Sequence, residues 1–335
     1  MRKIYVLLVT ALCCSITSAE SVEGNQSTNV ECNADSKNTR YFGPLQTLAR
    51  QVLGYTFPSN KSNIIRASAL EHFETSLRDP MFYQFYNRII HYLAKYKNNL
   101  PEYNETELKC PGVTINNVAI STLNTFVEKF EFEISNALYT NEDEKKDGFQ
   151  AWAHQYRVNH EPFTYTINVT SDTVTNVAVR IFIGPKYDNE QNEIPFNENR
   201  LNFVEFDKFE HSLGKGENII IRNSTQGKSA QDRINFRTLY QDVSDGLKDK
   251  RNFKHNMFDL SKNFVLPKGE SNGRVYKIFI HISSQTRANN TSGHNIDGRS
   301  FGYPLDRQIS DEVSFLVPNS YLFEERVYHN ETHVI

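Results

Sequence analysis

The sequence predicts an α+β protein with more than one domain, in which a partial helical domain precedes an antiparallel β-sandwich. Two observations lead to this prediction. Apolar residues recur at helical spacing after Asp79, and from Phe163 onward they alternate with polar residues as in half-buried strands. The chain has 335 residues, 38% hydrophobic and 23% charged, which is a globular composition with enough length for two domains.

The first 19 residues have the pattern of a secretory signal peptide. Arg2 and Lys3 form a basic end, a mostly apolar run extends from Ile4 to Cys14, and small residues lead to a cleavage site after Ala19. The apolar run is too short to span a bilayer. We therefore expect a secreted protein, and loss of the two signal bases changes the formal net charge from −3 to −5.

Residues 20–40 are polar and predict a flexible arm. Beyond the signal peptide the chain keeps two cysteines, Cys32 in this arm and Cys110. In an oxidising compartment they predict either a disulfide with each other or a bridge to another chain. The intramolecular bridge would tie the arm to the helical part, and it would stabilise the fold by roughly 4 kcal/mol in the chain-entropy model.

Residues 41–140 are predicted as the partial helical domain, with a few strands near its end. The main helix is expected to begin after Asp79, a good N-cap, with Pro80 at the first helical position, and to end at residues 98–101 (NNLP). Its apolar face predicts core packing. This face consists of Phe82, Phe85, Tyr86, Ile89, Ile90, Leu93 and Tyr96.

Strand patterns begin before the end of this domain and dominate after it. Phe130 and Phe132 alternate with glutamates, and the charged residues 141–147 predict a linker. Residues 150–335 are predicted as the sandwich domain, with about seven short strands and a tight turn at Asn272-Gly273. Predicted strands lie at residues 163–169, 177–183, 219–222, 276–282 and 313–317.

Several long motifs, in order, resemble the arthropod hemocyanin superfamily, and within it the insect hexamerins. The most informative is residues 78–86 (RDPMFYQFY), which resembles the signature of a copper-bearing helix. Residues 40–45 (RYFGPL) and 68–77 (SALEHFETSL) precede it. Further matches follow at residues 163–169 (FTYTINV), 179–188 (VRIFIGPKYD), 199–205 (NRLNFVE), 301–307 (FGYPLDR) and 317–321 (VPNSY).

The resemblance implies an immunoglobulin-like antiparallel sandwich at the C-terminus and a helical copper domain before it. Copper-binding members place a histidine at the position of Tyr86, and two more on one helix at the positions of Gln46 and Arg50. Here none of the three is histidine, and arginine cannot ligate a metal. The sequence that would carry the first copper site has no counterpart in this chain. We therefore expect an N-terminally truncated, copper-free hexamerin, with no metal and no cofactor.

Eight Asn-x-Ser/Thr sequons agree with secretion and predict glycosylation. They lie at Asn25, Asn60, Asn104, Asn168, Asn223, Asn289, Asn290 and Asn330.

Other chemistry has weak support in the sequence. The net charge does not favour nucleic acid or an anionic membrane as a partner. Residues 269–273 (GESNG) match a nucleophile-elbow pattern, but a predicted strand follows them where an elbow needs a helix, so they read as a turn. His329 and His333 are four residues apart in what reads as a frayed C-terminal tail.

Two functions fit these observations, and a third is disfavoured by them. The first is a secreted storage protein of insect haemolymph, an amino-acid reserve that needs no site. The second is a carrier of a small hydrophobic ligand such as a hormone, or a regulatory subunit of full-length hexamerins. The third, a phenoloxidase or oxygen carrier, lacks the expected ligands. Because the apolar helix face would lack packing partners in a truncated chain, we also expect homo-oligomers or association with full-length hexamerins.

Overall fold

The computed structural model describes residues 45–54, 68–71, 73–76, 79–133, 149–226, 244, 265–285, 299 and 302–334. Two compact units divide the chain. The first contains the helices up to residue 110 together with residues 194–204 and 283–317, and the second contains residues 111–193, 205–282 and 318–335. The predicted linker at residues 141–147 lies outside the described residues, and the predicted domain limits remain a prediction.

Six α-helices occur in the described residues. They are α1 (Leu45–Leu53), α2 (Phe73–Ser76), α3 (Pro80–Asn98), α4 (Glu105–Leu108), α5 (Phe196–Asn199) and α6 (Glu312–Phe315). Only α1 and α3 exceed one turn, and both belong to the first unit. Within the described ranges, no helix combines the length and apolar character that crossing a membrane requires.

Helix α3 confirms the local signals in the sequence. The Asp79 side chain accepts a hydrogen bond from the Met81 backbone N–H, and Pro80 occupies the first helical position, where its missing N–H costs nothing. The helix ends at Asn98, as predicted. Phe82 and Tyr86 are buried, whereas Tyr96 is 52% exposed, so the predicted apolar face is covered only along its first half.

In the described part of the chain nine strands form two sheets, which belong to the second unit except at the ends of two strands. They are β1 (Val113–Ile120), β2 (Leu123–Glu133), β3 (Trp152–His160), β4 (Thr164–Ser171), β5 (Thr175–Pro185), β6 (Val204–Leu213), β7 (Gly216–Asn223), β8 (Arg274–Ser284) and β9 (Ser320–Val334). One sheet has the order β1-β4-β7 and the other has the order β3-β2-β9-β8-β5-β6. This arrangement confirms the predicted helical part followed by a β-sandwich. Of the described pairings, only β2 with β9 is parallel.

Alternation in β4 decides which residues face the core. Tyr165, Ile167 and Val169 are at most 1% exposed, while the residues between them are half-buried on the other face. Tyr165 donates a hydrogen bond to Asp207 of β6, and Arg222 of β7 donates to the same carboxylate at 3.0 Å. These inward side chains join the three-stranded sheet to the six-stranded one.

Strand β5 is more deeply buried than its alternating pattern predicts. Residues 177–185 are all buried, including Arg180, whose guanidinium Nη1 lies 3.2 Å from the Glu205 carboxylate. The reason is its position between β8 and β6 in the six-stranded sheet, where neither face meets solvent.

Two predictions about the C-terminal region were wrong. Residues 313–317 do not form a strand: the Asp311 side chain accepts from the Val313 backbone N–H and caps the short helix α6. The C-terminal tail is not frayed, because it forms β9, which pairs with both β2 and β8. Residues 269–273 do form a turn before β8, with Gly273 at φ +83°, as expected.

Candidate functional site

The three positions predicted from the family resemblance to correspond to copper ligands lie on helices α1 and α3. Gln46 and Arg50 are four residues apart on α1, which places them on one helix face. The Gln46 side chain is outside the described part of the structure. The Arg50 guanidinium donates two hydrogen bonds to the carbonyl oxygen of Leu70, from Nε at 2.8 Å and from Nη2 at 2.6 Å. Two N–H donors of this guanidinium are therefore engaged by a backbone carbonyl.

Tyr86 occupies the third position and is packed into an apolar cluster. It is 1% exposed and lies with Leu70 and Phe82 in one buried core. Its ring centroid is 4.5 Å from that of Phe82 and 5.2 Å from that of Phe85. Leu70 supplies both a buried side chain to this core and the carbonyl that accepts from Arg50. Arg50 and Tyr86 thus belong to one packing arrangement.

This donor set does not fit copper. A guanidinium has no lone pair available for a metal, and a phenol packed among aromatic rings is a poor replacement for a neutral imidazole. Among the residues that the structure describes, no group of three or more His, Cys, Asp or Glu side chains could hold a metal ion.

A second polar cluster surrounds His329 in the second unit. The Thr125 hydroxyl donates to the carbonyl of Tyr328 at 2.8 Å, and the His329 Nδ1 lies 3.0 Å from the same hydroxyl oxygen. Because the single hydroxyl hydrogen is used, Nδ1 must carry the hydrogen of this contact, and Nε2 is the acceptor in the neutral ring. Burial is the main cause that lowers the pKa of His329, and the charge of Lys268 adds to it.

His329 also lines a cleft of about 330 Å³. Asn124, Glu161, Ser271 and Glu331 contribute to its walls. The cleft offers carboxylates, amides and the Ser271 side chain together with one imidazole. The His333 side chain, four residues further along the sequence, lies outside the described part of the structure.

A group of hydrogen-bonded polar side chains in the second unit connects the two sheets. Tyr165, Asp207 and Arg222 form the hydrogen-bonded group between the sheets, and the Arg222 guanidinium lies 4.4 Å from the Phe209 ring centroid. Burial, followed by the charge of Asp207, raises the pKa of Tyr165. The neutral phenol therefore acts as a fixed donor, and sequence reasoning had no pattern that would identify this group.

Side chains of the FGYPLDR motif form hydrogen bonds to the helical part of the first unit. Asp306 accepts from the Lys97 Nζ at 2.8 Å and from the Tyr103 hydroxyl at 3.1 Å. The Tyr303 hydroxyl donates to the carbonyl of Glu107 at 2.9 Å. Residues 302–307 thereby bond to the end of α3 and to helix α4, although they lie about 200 residues later in the chain. The motif therefore has a structural role.

Four predicted sequon asparagines have described surroundings. Asn104 caps α4 and its Oδ1 accepts from the Glu107 backbone N–H; Asn330 is exposed on β9. Asn168 lies on β4 and Asn223 ends β7. Asn25, Asn60, Asn289 and Asn290 lie outside the described residues.

Cys110 is buried, and this burial raises the pKa of its thiol. Its predicted partner Cys32 lies outside the described residues, so the disulfide remains a prediction.

Comparison with known protein families gives two matches along the chain. The family described as "Hemocyanin, copper containing domain" matches residues 15–93, and the family described as "Hemocyanin, ig-like domain" matches residues 102–329. The second match covers more than half of the chain.

Curated relatives include several insect proteins. Hexamerin 70b of Apis mellifera is 35% identical over 312 residues, which cover 90% of this chain and 46% of that protein. Allergen Cr-PI of Periplaneta americana is 32% identical over 325 residues, with coverages of 90% and 47%. Arylphorin of Antheraea pernyi is 32% identical, with coverages of 93% and 45%. The chain spans about half the length of these relatives.

Solved structures share the fold. A scorpion hemocyanin superposes with a TM-score of 0.68 at 22% identity, over 97% of this chain and 57% of that one. A hemolymph-type prophenoloxidase from a crustacean superposes with a TM-score of 0.65 at 22% identity, over 89% and 46%. At these identities the likeness concerns the fold alone.

Proposed function

The chain belongs to the hemocyanin family, and we propose that it is a secreted, copper-free storage protein of insect haemolymph, an amino-acid reserve of the hexamerin kind. Its relatives at 32–35% identity include hexamerins and an arylphorin. A reserve is consumed as amino acids, so it requires a stable fold and no reactive centre.

The observation that carries this proposal is the use of the ligand positions for packing. Arg50 is bonded to the Leu70 carbonyl, and Tyr86 is buried against Phe82. Both side chains contribute to stability where copper-binding relatives would need ligands. This arrangement supports a protein that neither carries oxygen nor oxidises phenols.

The composition supports a reserve function. The chain contains 17 tyrosines and 23 phenylalanines, and aromatic residues make up 12% of it. Digestion would release these amino acids for cuticle and tissue synthesis. We also propose a secretory route, with N-glycosylation and a Cys32–Cys110 disulfide, on the basis of the signal pattern and the eight sequons.

Exposed apolar pairs on the two long helices support self-association. Leu48 and Val52 on α1 are 53% and 67% exposed, and Tyr92 and Tyr96 on α3 are 68% and 52% exposed. Each pair is four residues apart, so each forms a stripe on one helix face. Such stripes favour a second copy of the chain or a full-length hexamerin as the partner.

The same stripes favour the second candidate function. A carrier of a small hydrophobic ligand, or a regulatory subunit that joins full-length hexamerins, would also use exposed aromatic and aliphatic side chains. In that case a lipophilic molecule or a hexamerin chain would accompany the purified protein.

The first experiment is the native mass of the secreted protein by light scattering, combined with metal analysis and mass spectrometry of bound material. If the chain is a storage protein, we expect a large assembly with less than about 0.1 copper per chain. We also expect the amount of this protein in the haemolymph to be highest before moulting. A monomer with a stoichiometric lipophilic ligand would favour the carrier. Stoichiometric copper with a dioxygen absorption band would overturn both.

A pair of variants tests the association surface. Tyr92→Ser with Tyr96→Ser should reduce the native mass, because it removes the α3 stripe. Tyr156→Ser is the matched control, since Tyr156 is 61% exposed on strand β3 and is not part of the stripe. Equal masses for both variants would exclude the α3 stripe as the contact.

A further inference from the structure

The outer face of the three-stranded sheet brings together two sequons and two exposed isoleucines. In β4 the odd-numbered residues face the core, so Asn168 faces outward. The register pairs Asn168 with Ile219 and Thr166 with Ile221 on β7, and it pairs Thr164 with Asn223. Directly paired residues share a face of the sheet. Asn168, Ile219, Ile221 and Asn223 therefore lie on the same side.

The two isoleucines are poorly covered by the protein. Ile219 is 66% exposed and Ile221 is 67% exposed, whereas Ile220 between them is 2% exposed and belongs to the core. β-branched side chains favour the strand, but an adjacent pair of outward isoleucines on an edge strand also provides a site for aggregation. β7 is an edge of its sheet, because β4 is its only neighbour in the described sheet order.

Polar neighbours do not cover this patch. The outward residues of β4 are Thr164, Thr166, Asn168 and Thr170, all with short side chains. On β1, Asn117 pairs with Asn168 across the strand. Asn168 and Thr166 pair directly with Ile219 and Ile221, and these short side chains leave both isoleucines about two-thirds exposed.

The carbonyl oxygens of the two sequon amides have defined surroundings. The Asn223 Oδ1 accepts from the Thr225 backbone N–H at 2.9 Å and from its hydroxyl at 2.8 Å, which are contacts within its own sequon. The Asn168 Oδ1 is buried and has no hydrogen-bond partner among the described residues. A sugar is attached through Nδ2, so its attachment leaves the Asn223 oxygen able to accept both of these hydrogen bonds.

We infer that Asn168 and Asn223 both carry N-linked oligosaccharides and that these sugars cover Ile219 and Ile221. In the modification, Nδ2 forms a bond to C1 of the first sugar of a lipid-pyrophosphate oligosaccharide. The C1–O bond to phosphate breaks, the lipid pyrophosphate leaves, and Nδ2 loses one proton, without oxidation or reduction. The inference rests on the proposed secretory route.

The geometry places each sugar next to its target. Cross-strand partners such as Asn168 and Ile219 have Cβ atoms about 5 Å apart, and residues two apart on a strand, such as Ile221 and Asn223, are about 7 Å apart. Sugar rings present C–H faces as well as hydroxyls, so the glycans can shield an apolar stripe while they remain solvated. This face is then a glycan-covered surface and not a protein interface.

The first test is site occupancy in the full chain secreted from insect cells, by glycopeptide mass spectrometry. We expect the peptides with Asn168 and Asn223 to carry hexose-containing additions. Thr170→Ala and Thr225→Ala should abolish each addition while retaining the asparagine. If the chain is secreted with sugars at other sequons and these two are bare, the inference is wrong and the secretory proposal stands. A chain that is not secreted would contradict both.

The second test examines the shielding. Enzymatic removal of the sugars from the folded protein should increase the fluorescence of a hydrophobic dye several-fold. The same treatment of a variant with Ile219→Thr and Ile221→Thr should give little increase. A matched control with Asn104→Gln and Asn330→Gln shows whether sugars elsewhere contribute. An equal increase with and without the isoleucines would overturn the shielding.

Discussion

Arg50 donates two hydrogen bonds to the main-chain carbonyl of Leu70, which lies 20 residues further along the chain. This contact fastens helix α1 to the segment that leads into α3. Tyr86 packs against the same segment, because Leu70 lies with it and Phe82 in one buried cluster.

Arg50→Ala should decrease the free energy of unfolding by about 1.5–3 kcal/mol, because it removes a charged donor and leaves the Leu70 carbonyl without that partner. Urea denaturation of the full chain measures the change. Arg88→Ala is the matched control, since Arg88 is exposed on α3 and should change stability by less than about 0.5 kcal/mol. Equal effects of the two substitutions would show that the Leu70 contact is unimportant.

Tyr86→Ala should destabilise the protein by about 3–5 kcal/mol, since it removes a large buried ring from the Leu70–Phe82 core. Tyr92→Ala, at a position that is 68% exposed, should have little effect. Tyr86→His should not create copper binding, because the position predicted as a second ligand is Arg50, whose guanidinium cannot coordinate a metal. Isothermal titration with copper is the measurement, and a tight stoichiometric site would contradict this expectation.

The Lys97–Asp306 ion pair is expected to be strongly coupled. The two side chains are 12% and 7% exposed, so removing one partner leaves a poorly solvated charge. Asp306→Asn should cost about 3 kcal/mol, and the double variant with Lys97→Met should cost less than the sum of the single changes. The Glu105–Lys109 pair, 61% and 42% exposed, is the control, and its double-mutant cycle should show a coupling below about 0.5 kcal/mol.

His329 should make stability depend on pH. Burial lowers the pKa of the folded histidine, so the folded protein binds the proton less readily than the unfolded chain. Its contribution is therefore fully present above the unfolded pKa of about 6.5 and decreases as the pH falls below that value. His329→Gln should flatten the decrease in unfolding free energy between pH 7 and pH 5, relative to the wild type.

His154→Gln is the control for this pH series, because His154 is exposed on β3. Its curve should follow that of the wild type. A His329→Gln curve that also follows the wild type would mean that this imidazole does not titrate differently in the two states.

Local signals in the sequence were sufficient for α3. An N-cap at Asp79, a proline at the first helical position and two asparagines at the end act within a few residues, so the boundaries could be predicted correctly. That Gln46, Arg50 and Tyr86 do not ligate copper stays a prediction, which for Arg50 depends on side-chain chemistry alone.

The C-terminal strand could not be predicted in the same way. His329, Asn330 and Glu331 are polar and read as a tail, yet β9 runs between β2 and β8 and gains hydrogen bonds from both neighbours. Residues 313–317 read as a strand, but the cap at Asp311 made them helical. Strand pairing with distant segments decided the first case, and a local cap two residues before Val313 decided the second.

The sequence by itself determined the fold class and the family, since these depend on periodicity and motifs. Only the tertiary structure decided which partners Arg50 and Tyr86 contact and which sequons share a face. Arg50 meets Leu70, and Asn168 meets Ile219, through chain segments that are distant in sequence. Contacts of that kind depend on strand register and helix packing, which no local pattern specifies.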